Sequence, residues 1–203
     1  MSYVHASQHS HAHAAWGFTL LELLISLAVV AVLASVAVPT LVHMRMQQRI
    51  NAAANSMRDS IMLAKSQALR LGQTVIIAPA GCEPSRSAHL AAILMPPDAS
   101  ASPNSAWRCG WVVVSDVNHN NQVDVNDALL RHVTGIKGVV ITNNVRDALL
   151  RVAPSGVVSP MQSLQFCIDD NAQWMHYARK LVVAISGRIR SDRLQDGKGC
   201  TAS

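Results

Sequence analysis

The stretch Gly17-Phe18-Thr19-Leu20-Leu21-Glu22, together with the apolar run it opens, continues to Val38 and meets Pro39 at once. From Phe18 to Val38, only Thr19, Glu22, Ser26 and Ser35 interrupt 21 residues of apolar side chains. As a helix rising 1.5 Å per residue the run is about 30 Å long, the thickness of a hydrocarbon core. A cleaved secretory signal has an apolar core of about 7 to 15 residues with small residues after it. Here the small residue, Gly17, comes first. Glu22 is the anomaly of the run, because an ionised side chain at mid-bilayer costs roughly 2.5 to 3.5 kcal/mol and tends to be paired.

Working outward, Met1 to Gly17 has no charged side chain but carries His5, His9, His11 and His13. Histidine is the commonest metal ligand, yet the tract reads better as a solvated, removable leader than as a metal site. Beyond Pro39, Met46, Ile50, Ala53, Met57, Ile61, Ala64, Ala68 and Leu71 recur at spacings of three and four and trace one helical stripe. Arg49, Arg58, Asp59, Lys65 and Arg70 are left for the other faces, and Gly72 supplies a stop. Phe18 to Leu71 therefore forms one helix of about 80 Å.

The remainder is β-rich. Thr74–Ala78, Leu90–Met95, Trp111–Ser115, Val139–Ile141, Leu164–Ile168 and Leu181–Ser186 are short Val-, Ile- and Leu-rich runs between turn residues, and Pro96–Ser105 is a loop. The fold class is α+β, a long N-terminal helix packed on a small antiparallel β-sheet head. The segments are 1–17, a leader; 18–38, an apolar span; 39–72, an amphipathic continuation; and 73–203, the globular head.

Asp116, Asn118, Asn120 and Asp124 partly imitate the oxygen ligands of a calcium loop. Asn121 replaces the glycine such a loop needs, and Asp127 is shorter than its bidentate Glu. A turn capped by its own Asx side chains is the stronger reading, and no resident cofactor is expected. Serine, histidine and aspartate are present without a nucleophile elbow, a phosphate loop or an HExxH motif, so nothing points to an enzyme.

The net charge of +5 is uneven. Residues 1–178 hold 11 Lys and Arg against 10 Asp and Glu, whereas residues 179–203 hold six against two. A strand continuing through Ala184-Ile185-Ser186-Gly187-Arg188-Ile189-Arg190-Ser191 would set Arg188 and Arg190 on one face. Arg193, Lys180, Arg179 and Lys198 are near in sequence, which makes a phosphate-binding strip. A solvated face or a contact with another protein is the plainer alternative. The head's five aromatic residues, Trp107, Trp111, Phe166, Trp174 and Tyr177, are too few for base stacking to dominate, so binding would be phosphate-led and salt-sensitive.

Gly17-Phe18-Thr19-Leu20-Leu21-Glu22 with its apolar helix resembles the class III signal of type IV pilins and pseudopilins. The strand Gly110–Ser115 with Asp116, Asn118, Asn120 and Leu129-Leu130-Arg131, then Pro154-Ser155-Gly156, Phe166-Cys167 and the terminal strand, resembles the GspH/FimT family of minor pilins. The resemblance implies that a prepilin peptidase cuts between Gly17 and Phe18 and methylates the new amine. Glu22 would pair with the N-terminal amine of a neighbouring pilin, and Pro39 would mark the usual kink. It implies an inner-membrane protein with a periplasmic head that later enters a pilus or pseudopilus. The leader lacks basic residues while Arg45 and Arg49 follow the span; a count of flanking cations alone favours the opposite orientation, but the cleavage motif outweighs it. Gly187-Arg188-Ile189-Arg190 resembles the FimT motif implicated in DNA binding during natural transformation. The alternatives are the H-type pseudopilin of type II secretion and a membrane-anchored calcium- or ligand-binding module. Cys82, Cys109, Cys167 and Cys200 form no C-x-x-C, and in a periplasm two disulfides are expected. Of three pairings, Cys82 with Cys109 and Cys167 with Cys200 is the one favoured, since each closes a loop beside a predicted strand.

Overall fold

The computed structural model describes residues 19–81, 107–145, 149–168 and 178–194, with the side chains of 36–40 left aside. The chain divides into two compact units, Met1–Val42 and His43–Ser203.

The first unit holds the N-terminal part of helix α1, Leu20–Leu71. Thr19 caps it: its Oγ1 accepts the Glu22 N–H at 3.2 Å, and its carbonyl accepts the Leu23 N–H at 3.2 Å. Thr19-x-x-Glu22 has the sequence form of a capping box, and a first-turn carboxylate faces the positive end of the helix dipole. The backbone stays helical through Pro39. Leu20, Leu21, Leu23, Leu24, Ile25, Leu27, Val29, Val30, Val32 and Leu33 are all exposed. Among the described residues, however, no helix is long and apolar enough to cross a membrane. The described apolar side chains, Leu20 to Ser35, amount to about 24 Å of helix against the about 30 Å of a hydrocarbon core.

In the second unit the stripe of α1 behaves as its spacing requires. Ile50, Ala53, Met57, Ile61, Ala64 and Ala68 are buried, Met46 is half-buried, and Leu71 lies outside the core at 40% exposure. Gly72 ends the helix at φ +66°, its N–H bonded to the Ala68 carbonyl at 3.0 Å.

Among the described residues nine strands follow: β1 Val75–Pro79, β2 Gly110–Ser115, β3 Ala128–Thr134, β4 Val139–Asn143, β5 Leu150–Val152, β6 Val158–Ser159, β7 Gln162–Ile168, β8 Arg179–Val183 and β9 Ile189–Arg193. They form two antiparallel sheets, ordered β3-β2-β1-β5-β6 and β4-β7-β8-β9. One core joins the α1 stripe to Ile77, Trp111, Val113 and Leu150 of the first sheet and to Ile141, Leu164, Phe166, Leu181 and Val183 of the second. A smaller cluster, Ile76, Ala78, Ala80, Val112 and Val114, covers the other face of β1 and β2. Every residue of β2 is thus buried. Gly110 opens β2 at φ +106°, where a Cβ would fall on the Val133 carbonyl oxygen, so no other residue fits there.

Four sequence expectations coincide closely with strands: β1, β2, β4 and β7. The Leu90–Met95 strand and the Pro96–Ser105 loop lie outside the described residues. The run Leu181–Ser186 ends early, since the chain turns after Val183. Strands β3, β5, β6 and β9 were not anticipated.

Candidate functional site

Residues 179–194 of the basic C-terminal segment form a hairpin, not the single strand that the sequence suggests. The Gly187 N–H bonds the Ala184 carbonyl at 2.8 Å, and the Ala184 N–H bonds the Arg188 carbonyl at 3.0 Å. Gly187 closes this turn at φ +72°, a conformation that costs a residue with a Cβ about 1 to 2 kcal/mol. The reversal brings β9 back along β8 in the register Arg179↔Arg193, Lys180↔Asp192, Leu181↔Ser191, Val182↔Arg190 and Val183↔Ile189.

Directly paired residues share a face, so the cations separate. Lys180 and Arg190 lie on one face with Asp192. Arg190 donates to the Asp192 carboxylate from Nε at 2.9 Å and Nη2 at 2.8 Å. This ion pair is exposed and contributes little to stability, but it neutralises the arginine that the sequence motif ranked among the first. Arg179 and Arg193 lie on the other face, with Leu181, Val183 and Ile189. Arg188 sits exposed at the end of the turn. The expectation of one strip is thus divided between two faces and a turn, because the chain reverses. Lys198 lies outside the described residues.

Two contacts hold the turn against the rest of the head. Lys65 of α1 donates from Nζ to the Gly187 carbonyl at 3.3 Å. The Val158 N–H of β6 bonds the Ile185 carbonyl at 2.8 Å, which joins the first sheet to the hairpin of the second. Lys65 was assigned only to a polar helix face; its partner is 122 residues away, and no local pattern could have revealed it.

The Asx-rich loop is a self-capped turn. The buried Asp116 carboxylate accepts the Asn120 N–H at 3.1 Å and the Asn121 N–H at 2.9 Å. Asp124 accepts the Asn126 N–H at 2.8 Å and the side-chain amides of Asn118 at 2.8 Å and Asn120 at 2.7 Å. The Asn126 backbone bond, then the Asn118 and Asn120 amides, holds the Asp124 carboxyl below its usual value. Arg151 fastens the loop to β5 by donating from Nε to the Asn121 carbonyl at 3.0 Å. Positive φ at His119 and Asn121, +58° and +59°, completes the turn. The oxygens proposed for calcium are thus engaged by N–H donors, and among the described residues no group of His, Cys, Asp or Glu is set to hold a metal ion.

Gly17 and Phe18 lie outside the described residues, while Glu22 is exposed in the first turn of α1. Neither Cys109 nor Cys167 is a free thiol. Cys82 and Cys200, and with them the expected pairing, lie outside the described residues.

Two family models match the chain. A prokaryotic N-terminal methylation motif matches residues 17–38, and a model described as Type II transport protein GspH matches residues 53–187, more than half of the chain. The type IV minor pilin FimU of Pseudomonas aeruginosa strain PAO1 is similar in structure at 14% identity and a TM-score of 0.48, covering 77% of this chain and 95% of that one. The minor pseudopilin EpsH from the Type 2 Secretion System of Vibrio cholerae is similar at 13% identity and a TM-score of 0.44, covering 71% of this chain and 97% of that one. No curated protein matches the chain. The chain thus carries, in order, a methylation motif at the head of a long helix and then two antiparallel sheets. The chain belongs to the GspH family.

Proposed function

We propose that the chain is a minor pilin of a type IV pilus. A prepilin peptidase cleaves it between Gly17 and Phe18 and methylates Phe18. Residues 18–38, completing the apolar run beyond Ser35, anchor it in the inner membrane with the head in the periplasm. Assembly with other pilins at or near the filament tip then covers the exposed leucines and valines of α1, which an aqueous surface would not carry as one continuous patch. Within the filament the β8–β9 hairpin contacts DNA through phosphates during uptake. The observation that carries the DNA reading is the charge of that hairpin: Arg179, Lys180, Arg188, Arg190 and Arg193 against Asp192 alone in residues 179–194.

Binding of a short DNA duplex to the full chain in detergent, across a salt series, tests this reading. Affinity is expected to fall steeply with salt and to be indifferent to sequence. Undetectable binding at low salt would remove the DNA claim. That result would leave the second reading, a pseudopilin of type II secretion, which the description of the matching family favours. Mass spectrometry of the native protein is expected to find a methylated Phe18 at the N-terminus; an intact histidine-rich leader would sink the processing claim.

A further inference from the structure

We propose that Arg179 and Arg193 together hold one phosphate group, and that this pair is the hairpin's principal anion site. The proposal takes the source of the phosphate, nucleic acid, from the reading above; the site itself stands on the register.

Arg179 and Arg193 are directly opposed across β8 and β9. Side chains so paired leave one face of the sheet with Cβ atoms about 4.5 to 5.5 Å apart, and like charges there repel. Among the described residues nothing relieves them. Asp192, the one acid of the hairpin, is on the other face and already engaged by Arg190. Neither Arg179 nor Arg193 has a hydrogen-bond or ion-pair partner among the described residues. Arg179 is half-buried and Arg193 exposed. A half-buried cation beside a second cation is an arrangement that a bound oxyanion stabilises.

The geometry favours phosphate over carboxylate. A carboxylate is satisfied by the fork of a single arginine and would leave the second cation unanswered. A phosphodiester directs its two free oxygens apart, one for each guanidinium, and stays ionised at every physiological pH. The pair also lies at the far end of the ladder from the turn, about 14 Å from the Val183↔Ile189 pair at the extended-strand rise. Arg188 therefore cannot share its phosphate.

The test uses the full chain in detergent at fixed ionic strength, with chloride exchanged for inorganic phosphate. Phosphate is expected to raise the Tm of the wild type. Arg179→Gln and Arg193→Gln should abolish that rise, while Arg188→Gln and Arg190→Gln keep it. In chloride alone both pair variants should melt no lower than wild type, since each removes a repulsion. With a DNA duplex, either pair variant should reduce the salt slope by about 1 and the double variant no further, because one phosphate is lost. A phosphate response that survives Arg179→Gln and Arg193→Gln, or is absent from wild type, overturns the site. So does a polyglutamate peptide that raises Tm through the pair more than phosphate does. Phosphate binding through the pair without DNA binding upholds the site and removes the DNA reading. DNA binding with a slope untouched by the pair variants does the reverse.

Discussion

The indole N–H of Trp111 donates to the Oγ of Ser60 at 2.9 Å in the buried core, and the Ser60 hydroxyl in turn donates to the Ser56 carbonyl at 2.9 Å. This contact fixes where β2 sits along α1, which apolar packing alone leaves free to slide. Ser60→Ala strands a buried N–H, and we expect a loss of about 1 to 3 kcal/mol in denaturant unfolding. Trp111→Phe in the Ser60→Ala background should cost less than the two separate losses summed. Trp107 is the control. Its indole N–H is buried without an acceptor among the described residues, so Trp107→Phe removes a group that was never satisfied.

Gly187→Ala should weaken the hairpin for two separable reasons. The φ of +72° alone costs about 1 to 2 kcal/mol, and the new Cβ would approach the Lys65 Nζ to 2.6 Å. Lys65→Ala in the same chain removes the crowding by Nζ, Cε and Cδ and leaves the first cost. Amide exchange at residues 184 to 190 is the measurement: Gly187→Ala and Lys65→Ala, which loses the Nζ bond to the Gly187 carbonyl, should each exchange faster than wild type, and the double variant should lose less protection than the two losses summed.

The Asx loop should resist acid. Because the Asp124 carboxyl is held below its usual 3.8 by donors present only in the folded loop, its stabilising contribution is full above 3.8. It is lost as pH falls through the lower folded value. Exchange of the Asn126 amide, followed through an acid titration, should therefore stay slow to a pH below the ordinary carboxylate range. In Asp124→Asn that protection should be reduced at neutral pH and show no step on acidification.

Peptide mapping of the unreduced protein is expected to find Cys82 joined to Cys109 and Cys167 joined to Cys200. Cys167 is buried on the same face of the second sheet as Lys180, so the second bridge would bring the C-terminal tail to the cationic hairpin. A Cys82–Cys167 or Cys109–Cys200 peptide would overturn the pairing.

The helix was legible because one stripe of seven buried or half-buried positions, from Met46 to Ala68, keeps strict three- and four-residue spacing. The Asx loop was legible because its bonds are local, within a dozen residues. Strands β5 and β6 have three and two residues and carry no period. Strand β3 hides its alternation behind a bulge, where Val113 pairs with Arg131 and Val114 with Leu129, passing over Leu130. At the candidate site, the excess of cations was legible in residues 179–203 and their placement was not. Ser186-Gly187 is a turn signal, yet it was taken as a relaxed point within a strand. The turn instead sets Arg179 and Arg193, which the strand reading leaves at the margin of the strip, directly opposite each other.

The turn from Ala184 to Arg188 answers to three partners at once: its own Ala184 carbonyl, the Lys65 ammonium and the Val158 amide. One inserted residue there would misalign all three, so homologues that differ in length should place their insertions elsewhere. The spacing from Lys65 to Gly187 can drift through the loops between them, but the five residues of the turn should be the fixed ruler against which an alignment of this family's C-terminal halves is set.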